Sequence, residues 1–296
     1  MLLQIEQRVK SSVARRLAFT SPSEALFTYA LSRSVQDRTT EKPAFNFDFF
    51  VGGFDGLSFA APGQMGGSSF HRILSSDGAS RAVKASKTAA RMEMFLRHAL
   101  ASGGALIDIG ANVGLTSIPH AILGDFHPVI AVEPELRNFM CLEANARANG
   151  AEMICHHAAA AASPGTGVLK LKSNPTHHYL AAKGKGERVA LLTVDLLAQA
   201  ADRVSLVKVD VQGGEADVLR GAGDLLRRRE AAWLVEVRAP KHAGAADTAF
   251  IAATVETHFD GFMDTRAAMP EIRAAHLFPD YLNTLSRKFT DFVFVP

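Results

Sequence analysis

The sequence predicts an α/β fold in which a doubly wound, mostly parallel sheet follows an N-terminal α+β extension. Three observations support this prediction. Short apolar segments alternate with segments of helical periodicity from Ala105 onward. A glycine-containing turn follows the first apolar segment, and a glutamate, Glu133, ends the second. Alternating strands and helices form parallel sheets with helices on both faces, and the ligand site of such a sheet lies beyond the carboxyl ends of its strands.

Composition and charge exclude several classes of protein. The chain of 296 residues has 32 Lys and Arg and 30 Asp and Glu, so 32 − 30 gives a net charge of +2. This near-balance argues against an electrostatically driven nucleic-acid binder. Two cysteines are too few for a disulfide framework and match no zinc pattern, which favours a reducing, cytoplasmic compartment. No apolar run approaches about 18 residues, so no membrane span is predicted.

Residues 1–104 form the predicted extension, and residues 1–43 are expected to be helical. The first 19 residues have the spacing of a basic amphipathic helix, which could lie on a membrane or act as a targeting peptide. A helix docked on the protein surface is the favoured interpretation. Alternating residues from Phe47, followed by Asp55-Gly56, predict a β-hairpin, and a helix is predicted over 86–100. We expect the extension to cover the substrate site or to form a homo-oligomer interface.

Residues 105–296 form the second predicted domain, which holds the alternating strands and helices. Helices are expected over 114–123, 136–149 and about 215–229. Strands are expected over 105–109, 128–132, 152–158, 168–171, 189–194, 205–209, 232–237 and 292–295.

The turn after the first strand of this domain is the first candidate binding site. Its sequence runs from Asp108 to Gly114 with the spacing Gly-x-Asn-x-Gly, in which Gly110, Asn112 and Gly114 are candidate ligand-binding residues. Glycines let the backbone approach a ligand and adopt positive φ, and Asp108 could accept hydrogen bonds from a ligand ammonium group. A dinucleotide fingerprint would need glycines where this chain has Asn112 and Leu115. A tight turn without any ligand is the alternative.

Glu133 strengthens the binding interpretation of this turn. It ends the second strand, about 20 residues after the glycine turn, where an acid can accept hydrogen bonds from both hydroxyls of a ribose. An exposed loop glutamate is the alternative. Together the two features indicate an adenosine-type ligand without a pyrophosphate, in an anionic pocket. S-adenosylmethionine fits, because it combines a ribose with a cationic amino group and a sulfonium.

Three segments resemble the motif series of the FkbM-type methyltransferases. They are Asp108–Gly114, Val132–Pro134, and Val207–Glu215 with the following Val218–Ala222. The resemblance covers about residues 90 to 240, and the third motif is the most specific. It implies a seven-stranded, Rossmann-like class I methyltransferase fold, S-adenosylmethionine as cofactor, and usually methylation of oxygen on sugars or other small molecules. It also implies a cofactor contact for Glu93, which otherwise would be an ordinary helix residue.

Two carboxylates are the candidate catalytic residues. Asp210 follows the fourth core strand, above the expected cofactor, and could act as general base for a substrate hydroxyl. A cap for the following helix is its alternative role. Glu236, near the end of the fifth strand, lies beside Asp210 across the predicted sheet. The two acids could together hold Mg²⁺, but nothing else in the sequence supports a metal. Lys208 is expected to form a structural ion pair.

Three functions from different classes remain open from the sequence. An S-adenosylmethionine-dependent methyltransferase acting on the hydroxyl of a small molecule or glycan is favoured by the ordered motifs. A non-catalytic binding or scaffold protein that keeps the fold is motivated by the long region before Ala105. An NAD-dependent oxidoreductase is disfavoured by the missing fingerprint glycines.

Overall fold

The computed structural model describes residues 49–54, 57–62, 103–123, 126–172, 178–181, 184–267 and 271–296. The predicted helices over 1–43 and 86–100, and with them Glu93, lie outside this part of the chain. The strands that the structure describes are β1 (Phe49–Phe54), β2 (Leu57–Pro62), β3 (Ala105–Ile109), β4 (Val129–Glu133), β5 (Ile154–Ala160), β6 (Gly165–Lys170), β7 (Tyr179–Ala181), β8 (Glu187–Leu192), β9 (Val204–Val209), β10 (Ala232–Arg238), β11 (Gly261–Asp264), β12 (Arg273–Ala274) and β13 (Phe289–Val295).

The helices of the same part of the chain follow the strands in alternation. They are α1 (Ser117–Leu123), α2 (Leu136–Asn149), α3 (Val194–Ala198), α4 (Glu215–Arg220), α5 (Gly223–Arg228), α6 (Ala245–His258) and α7 (Phe278–Thr284), with 3₁₀ turns at Pro240–His242 and Ala275–Leu277. Helix α2 has the predicted bounds and ends at Gly150, which adopts a φ of +68° and donates its N–H back to the last turn.

The helix predicted over about 215–229 is instead two short helices, so that prediction was wrong in its continuity. The break lies at Gly221 and Ala222, between α4 and α5. Gly221 packs so closely on the backbone of Ala161 that a Cβ added there would lie 2.2 Å from the Ala161 carbonyl oxygen. Helical periodicity alone does not reveal such a contact, because it depends on a residue far away in the sequence.

The sheet has eleven strands in the order β12-β11-β13-β10-β9-β3-β4-β5-β8-β6-β7. Strands β10, β9, β3, β4 and β5 pair in parallel, and β13 joins antiparallel between β10 and β11. These seven strands have the predicted doubly wound arrangement. Strands β8, β6 and β7 extend the sheet beyond β5, and β12 extends the other edge. The short strands β7, β11 and β12 were not predicted from the sequence.

Apolar side chains bury both faces of the central sheet. On one face, side chains such as Val207 and Trp233 join the larger core cluster with residues of α3 to α7. Four phenylalanines (Phe262, Phe278, Phe292 and Phe294) form part of this cluster with ring centroids 5.0 to 6.1 Å apart. On the other face, Ala131 packs against Leu142 of α2. Helices on both faces explain why all five residues of β3 and all five of β4 are buried.

The predicted hairpin is confirmed in the backbone of the extension. Strands β1 and β2 pair antiparallel, and the pair Phe54 and Leu57 closes the ladder around Asp55-Gly56. The backbone of β2 lies beside helix α2. None of the helices in the described residues is both long and apolar enough to cross a bilayer.

Candidate active site

A row of mostly polar residues crosses the carboxyl end of the central strands. Ile109 of β3 pairs with Val132 on β4 and with Val209 on β9, so the residues that follow these three lie side by side. The row extends over β10 and β13, where Glu236 pairs directly with Asp291. In order across the sheet the row consists of His157, Glu133, Gly110, Asp210, Glu236 and Asp291. It spans the point where the strand order reverses, between β3 and β9.

The turn after β3 requires its glycines. Gly110 has a φ of +77° and Gly114 a φ of +91°, and Asn112 also lies in the left-handed region at +54°. A Cβ added to Gly110 would lie 2.0 Å from the carbonyl oxygen of Asp210. Only glycine therefore fits at position 110. This contact joins the turn after β3 to the end of β9.

The N–H groups of residues 110–114 all have partners within the chain. Those of Gly110 and Ala111 both donate to the Val132 carbonyl oxygen at 3.0 Å, and that of Gly114 donates to Ala111. The Asn112 N–H donates to Glu133, and the next N–H donates to the Asn112 side chain. Phosphate-binding loops instead direct N–H groups toward their ligand. This turn therefore lacks the donors that hold a pyrophosphate.

Glu133 is buried beside this turn and held by backbone donors. The residue is 5% exposed. One carboxylate oxygen accepts the Asn112 N–H at 2.8 Å; the other accepts the Glu135 N–H at 3.0 Å and the Asn138 amide at 3.4 Å. Burial raises the pKa of Glu133 to about 7, against the opposing effect of these donors. Glu135, rather than Glu133, caps helix α2.

Asp108 lies on β3, two residues before Gly110 of the row, and is completely buried. Its Oδ1 accepts a hydrogen bond from Lys208 at 3.0 Å, and its Oδ2 accepts one from the Ser117 hydroxyl at 2.6 Å. Both oxygens thus have partners within the protein, which makes Asp108 an internal anchor for the turn. A direct contact between Asp108 and a ligand stays a prediction. The role of Ser117 was missed, although its place at the start of α1 after a glycine turn was visible in the sequence.

Lys208 forms the structural ion pair expected from the sequence and also approaches the row. Its ammonium lies 3.0 Å from Asp108, 3.5 Å from the Gly110 carbonyl oxygen and 3.7 Å from Asp210. Burial alone would lower the pKa of Lys208, but Asp108 and Asp210 raise it above its ordinary value. The ammonium therefore stays charged between two carboxylates.

Asp210 and Glu236 lie together at the edge of the sheet, as predicted. The Asp210 side chain is 49% exposed, so it faces the space beyond the strand ends. Glu236 is partly buried, and this burial, with the neighbouring Asp210 and Asp291, raises the pKa of Glu236 to about 8. At neutral pH Glu236 therefore mostly holds its proton and can donate a hydrogen bond.

Sequence reasoning missed Asp291 and its partner Arg266. Asp291 lies opposite Glu236 on β13, and its Oδ2 accepts a hydrogen bond from Arg266 Nε at 2.8 Å and lies 2.6 Å from Arg266 Nη2. Burial raises the pKa of Asp291 despite this partner. The charged residue within a mostly apolar last strand was the available signal.

The third motif forms the turn between β9 and α4. Glu215 is buried and accepts the Gly213 N–H at 3.0 Å, so it stabilises its own turn. Gln212 accepts a bond from Arg238 at 3.2 Å. At the other end of the row, the ring of His157 stacks on Phe139 with centroids 5.1 Å apart. Among the described residues, no group of three or more His, Cys, Asp or Glu is arranged to hold a metal ion.

Several solved structures are similar to this chain. A 16S rRNA N2 G1207 methyltransferase of T. thermophilus, in complex with AdoMet and guanosine, has a TM-score of 0.40 and 12% identity over 86% of this chain and 52% of that one. The chain thus spans about half the length of that structure. TYW2 of M. jannaschii, in complex with AdoMet, has a TM-score of 0.36 and 12% identity over 86% and 88% of the two chains.

A third solved structure is also similar to this chain. Precorrin-6y C5,15-methyltransferase of Geobacter metallireducens has a TM-score of 0.34 and 12% identity over 67% of this chain and 85% of that one. No curated protein sequence matches this chain significantly. The family model described as the methyltransferase FkbM domain matches residues 108–266, which is more than half of the chain and includes the glycine turn, Glu133, Asp210 and Glu236. This chain therefore belongs to the FkbM methyltransferase domain family.

Proposed function

We propose that the protein is an S-adenosylmethionine-dependent methyltransferase that transfers a methyl group to a hydroxyl of a small molecule or glycan. One observation carries the proposal: Glu133 and Asp210 flank a glycine turn whose N–H groups are all bonded within the chain. This arrangement offers acceptors on both sides of the turn and no anion site between them. It suits a cationic adenosine derivative, and it does not suit a dinucleotide.

The residues at the turn fit the proposed cofactor by their chemistry. The Glu133 carboxylate is fixed by three N–H donors, and its two oxygens retain the capacity to accept the hydroxyls of a ribose. The positive φ angles of Gly110, Asn112 and Gly114 let the backbone curve around a ligand. Asp108 fixes the turn from beneath through Ser117 and Lys208. The acidic edge attracts the positive charges of the cofactor.

The proposed reaction balances as a simple displacement. S-adenosylmethionine supplies an electrophilic methyl group on a sulfonium: the acceptor oxygen forms the new C–O bond while the C–S bond breaks, and its electron pair stays on sulfur. Asp210 accepts the proton of the acceptor hydroxyl, which its half-exposed position beyond β9 allows. Glu236, with its own proton, donates a hydrogen bond that orients the acceptor oxygen.

Isothermal titration calorimetry with S-adenosylhomocysteine tests the cofactor assignment. We expect saturable binding with a Kd of about 1–100 μM, and no binding of NADH at the same concentrations. Binding of NADH in preference to S-adenosylhomocysteine would overturn the proposal in favour of the oxidoreductase. Binding of neither ligand would favour the scaffold alternative.

Tritium-labelled S-adenosylmethionine with a panel of hexose methyl glycosides and simple polyols tests the acceptor class. We expect label to transfer to at least one hydroxyl compound and to be lost in heat-denatured protein. A panel of primary amines is the comparison. Transfer to amines alone would overturn the assignment of oxygen as the acceptor while leaving the cofactor assignment intact.

A further inference from the structure

We propose that Lys208 is a positioning residue that holds the Asp210 carboxylate in place at the candidate active site. The proposal deepens the proposed function and rests on it. It follows from a chain of contacts that runs from the buried Ser117 through Asp108 and Lys208 to the half-exposed Asp210. Lys208 comes two residues before Asp210, on the same face of β9, and so lies directly behind the row.

The first part of this chain is a rigid anchor. Asp108 is 0% exposed, and its two oxygens are held by different groups: the Ser117 hydroxyl at 2.6 Å and the Lys208 ammonium at 3.0 Å. A buried carboxylate with both oxygens bonded has no freedom to rotate. The position of the ammonium is therefore set from the interior of the protein.

The second part of the chain reaches the active site. An ammonium has three N–H donors, and the Lys208 nitrogen has three acceptors around it: Asp108, the Gly110 carbonyl oxygen at 3.5 Å and the Asp210 carboxylate at 3.7 Å. The Lys208 side chain is 12% exposed, whereas that of Asp210 is 49% exposed. The buried cation thus fixes one oxygen of the half-exposed carboxylate and leaves the rest of the side chain turned outward.

A lysine that only stabilised the fold would need no contact beyond its ion pair with Asp108. Two features go beyond that role. The same ammonium contacts the carbonyl of Gly110, the residue whose close packing on Asp210 joins the two strand ends. It also lies between two carboxylates of which only one is buried. Lys208 therefore links the turn proposed to hold the cofactor to the residue proposed to accept the proton.

A double-mutant cycle tests this link. Lys208→Met, Asp210→Asn and the double variant are compared for methyl transfer from labelled S-adenosylmethionine to whichever glycoside or polyol the wild-type protein methylates. We expect each single variant to lower kcat about 100-fold, and the double variant to be no slower than Asp210→Asn. The Kd for S-adenosylhomocysteine is expected to stay within about threefold of wild type for Asp210→Asn, and to rise far less than kcat falls in the two variants without Lys208, because Lys208 also supports the turn. Lys172→Met, outside the row, is the control and should retain wild-type turnover.

Lys208→Met leaves the buried Asp108 without its cation, so a second variant keeps the test valid if that protein does not fold. Asp108→Asn/Lys208→Met removes both charges together. We expect it to bind S-adenosylhomocysteine and to show the same loss of kcat. The positioning role would be overturned if the losses of kcat in Lys208→Met and Asp210→Asn multiplied in the variant that combines them. It would also be overturned if the affinity for S-adenosylhomocysteine fell as much as kcat. A wild-type protein that binds S-adenosylhomocysteine and methylates no hydroxyl would overturn it together with the acceptor class; absence of S-adenosylhomocysteine binding would instead overturn the proposed function itself.

Discussion

The two halves of the row use the same functional group in opposite ways. On the side of β4, the buried Glu133 receives three N–H donors from its own chain. On the side of β9, β10 and β13, Asp210, Glu236 and Asp291 lie next to one another, and burial together with the charge of Asp210 raises the pKa of Glu236 and of Asp291. Carboxyl groups at neighbouring strand ends therefore have different surroundings, with hydrogen-bond donors on one side and other acids on the other.

The pKa shifts of Glu133 and Glu236 have different causes. Burial raises the pKa of both Glu133, to about 7, and Glu236, to about 8. For Glu133 the hydrogen-bond donors oppose the effect, whereas for Glu236 the charges of Asp210 and Asp291 add to it. The first environment suits a residue that accepts hydrogen bonds, and the second favours a residue that keeps its proton.

The largest effect is expected for Asp210→Asn. Removal of the proposed proton acceptor should lower kcat by at least about 100-fold, while the Kd for S-adenosylhomocysteine changes by less than about threefold. Steady-state kinetics on the first hydroxyl acceptor and calorimetry measure the two quantities. Unchanged turnover would show that Asp210, on the β9 side of the row, does not accept the proton.

The next largest effect is expected for Gly110→Ala, which tests whether the two halves are held together. The new Cβ would lie 2.0 Å from the Asp210 carbonyl oxygen at a φ of +77°, so we expect a loss of about 3 kcal/mol in the free energy of unfolding. Gly150→Ala is the matched control: its φ is +68°, but nothing lies within 4 Å of the added Cβ. Left-handed strain alone should cost it only about 1 kcal/mol. Urea denaturation measures both, and equal losses would show that the close contact is unimportant.

Glu133→Gln tests the cofactor-binding role proposed for the β4 side of the row. The amide preserves the shape of the side chain but replaces one acceptor oxygen with a donor, so we expect the affinity for S-adenosylhomocysteine to fall about 10-fold, or about 1.4 kcal/mol. Glu143→Gln, at an exposed position of α2, should bind like the wild type. If both variants kept full affinity in calorimetry, Glu133 would have only the structural role of fixing the turn.

The smallest effect concerns pH and the proton of Glu236. The ordinary pKa of 4.5 applies to the unfolded chain and a pKa of about 8 to the folded one, so the folded state retains a proton that the unfolded state has released between these values. Stability from this group is therefore fully present below pH 4.5 and decreases as the pH rises toward 8. Glu236→Gln should reduce that decrease by on the order of 1 kcal/mol.

Urea denaturation at several pH values between about 5 and 9 measures the slope. Glu133 and Asp291, whose pKa values are also raised, keep part of the slope in the variant. Glu256→Gln, at an exposed position of α6, is the matched control. If the free energy of unfolding of Glu236→Gln depended on pH as steeply as that of the wild type, the raised pKa of Glu236 would be contradicted.

Much of the fold could be predicted because its signals are local. The apolar runs of β3 and β4 are fully buried, as their composition indicates, and Gly150 ends α2 where predicted. The strands β7, β11 and β12 have two to four residues each, too few for a recognisable period. The break between α4 and α5 lies at Gly221, which packs on the distant backbone of Ala161.

The candidate site divides in the same way. The glycine turn, Glu133, Asp210 and Glu236 follow or end predicted strands, so their common location at the sheet edge was predictable. Asp291 and Arg266 were not found, because β13 enters the sheet antiparallel from the end of the chain. Pairing of this kind is not encoded in the neighbouring residues.

The order of most strands, the residue types at the strand ends and the spacing of the motifs follow from the sequence, because each depends on neighbours along the chain. The surroundings of each acid, in contrast, depend on tertiary contacts. Asp108, Glu133 and Glu236 are alike in sequence terms, as acids at or near strand ends. They differ in their partners, which are a buried cation, backbone donors and other acids respectively. The charge state of an acid depends on these surroundings, and the fold assembles them from residues up to a hundred positions apart.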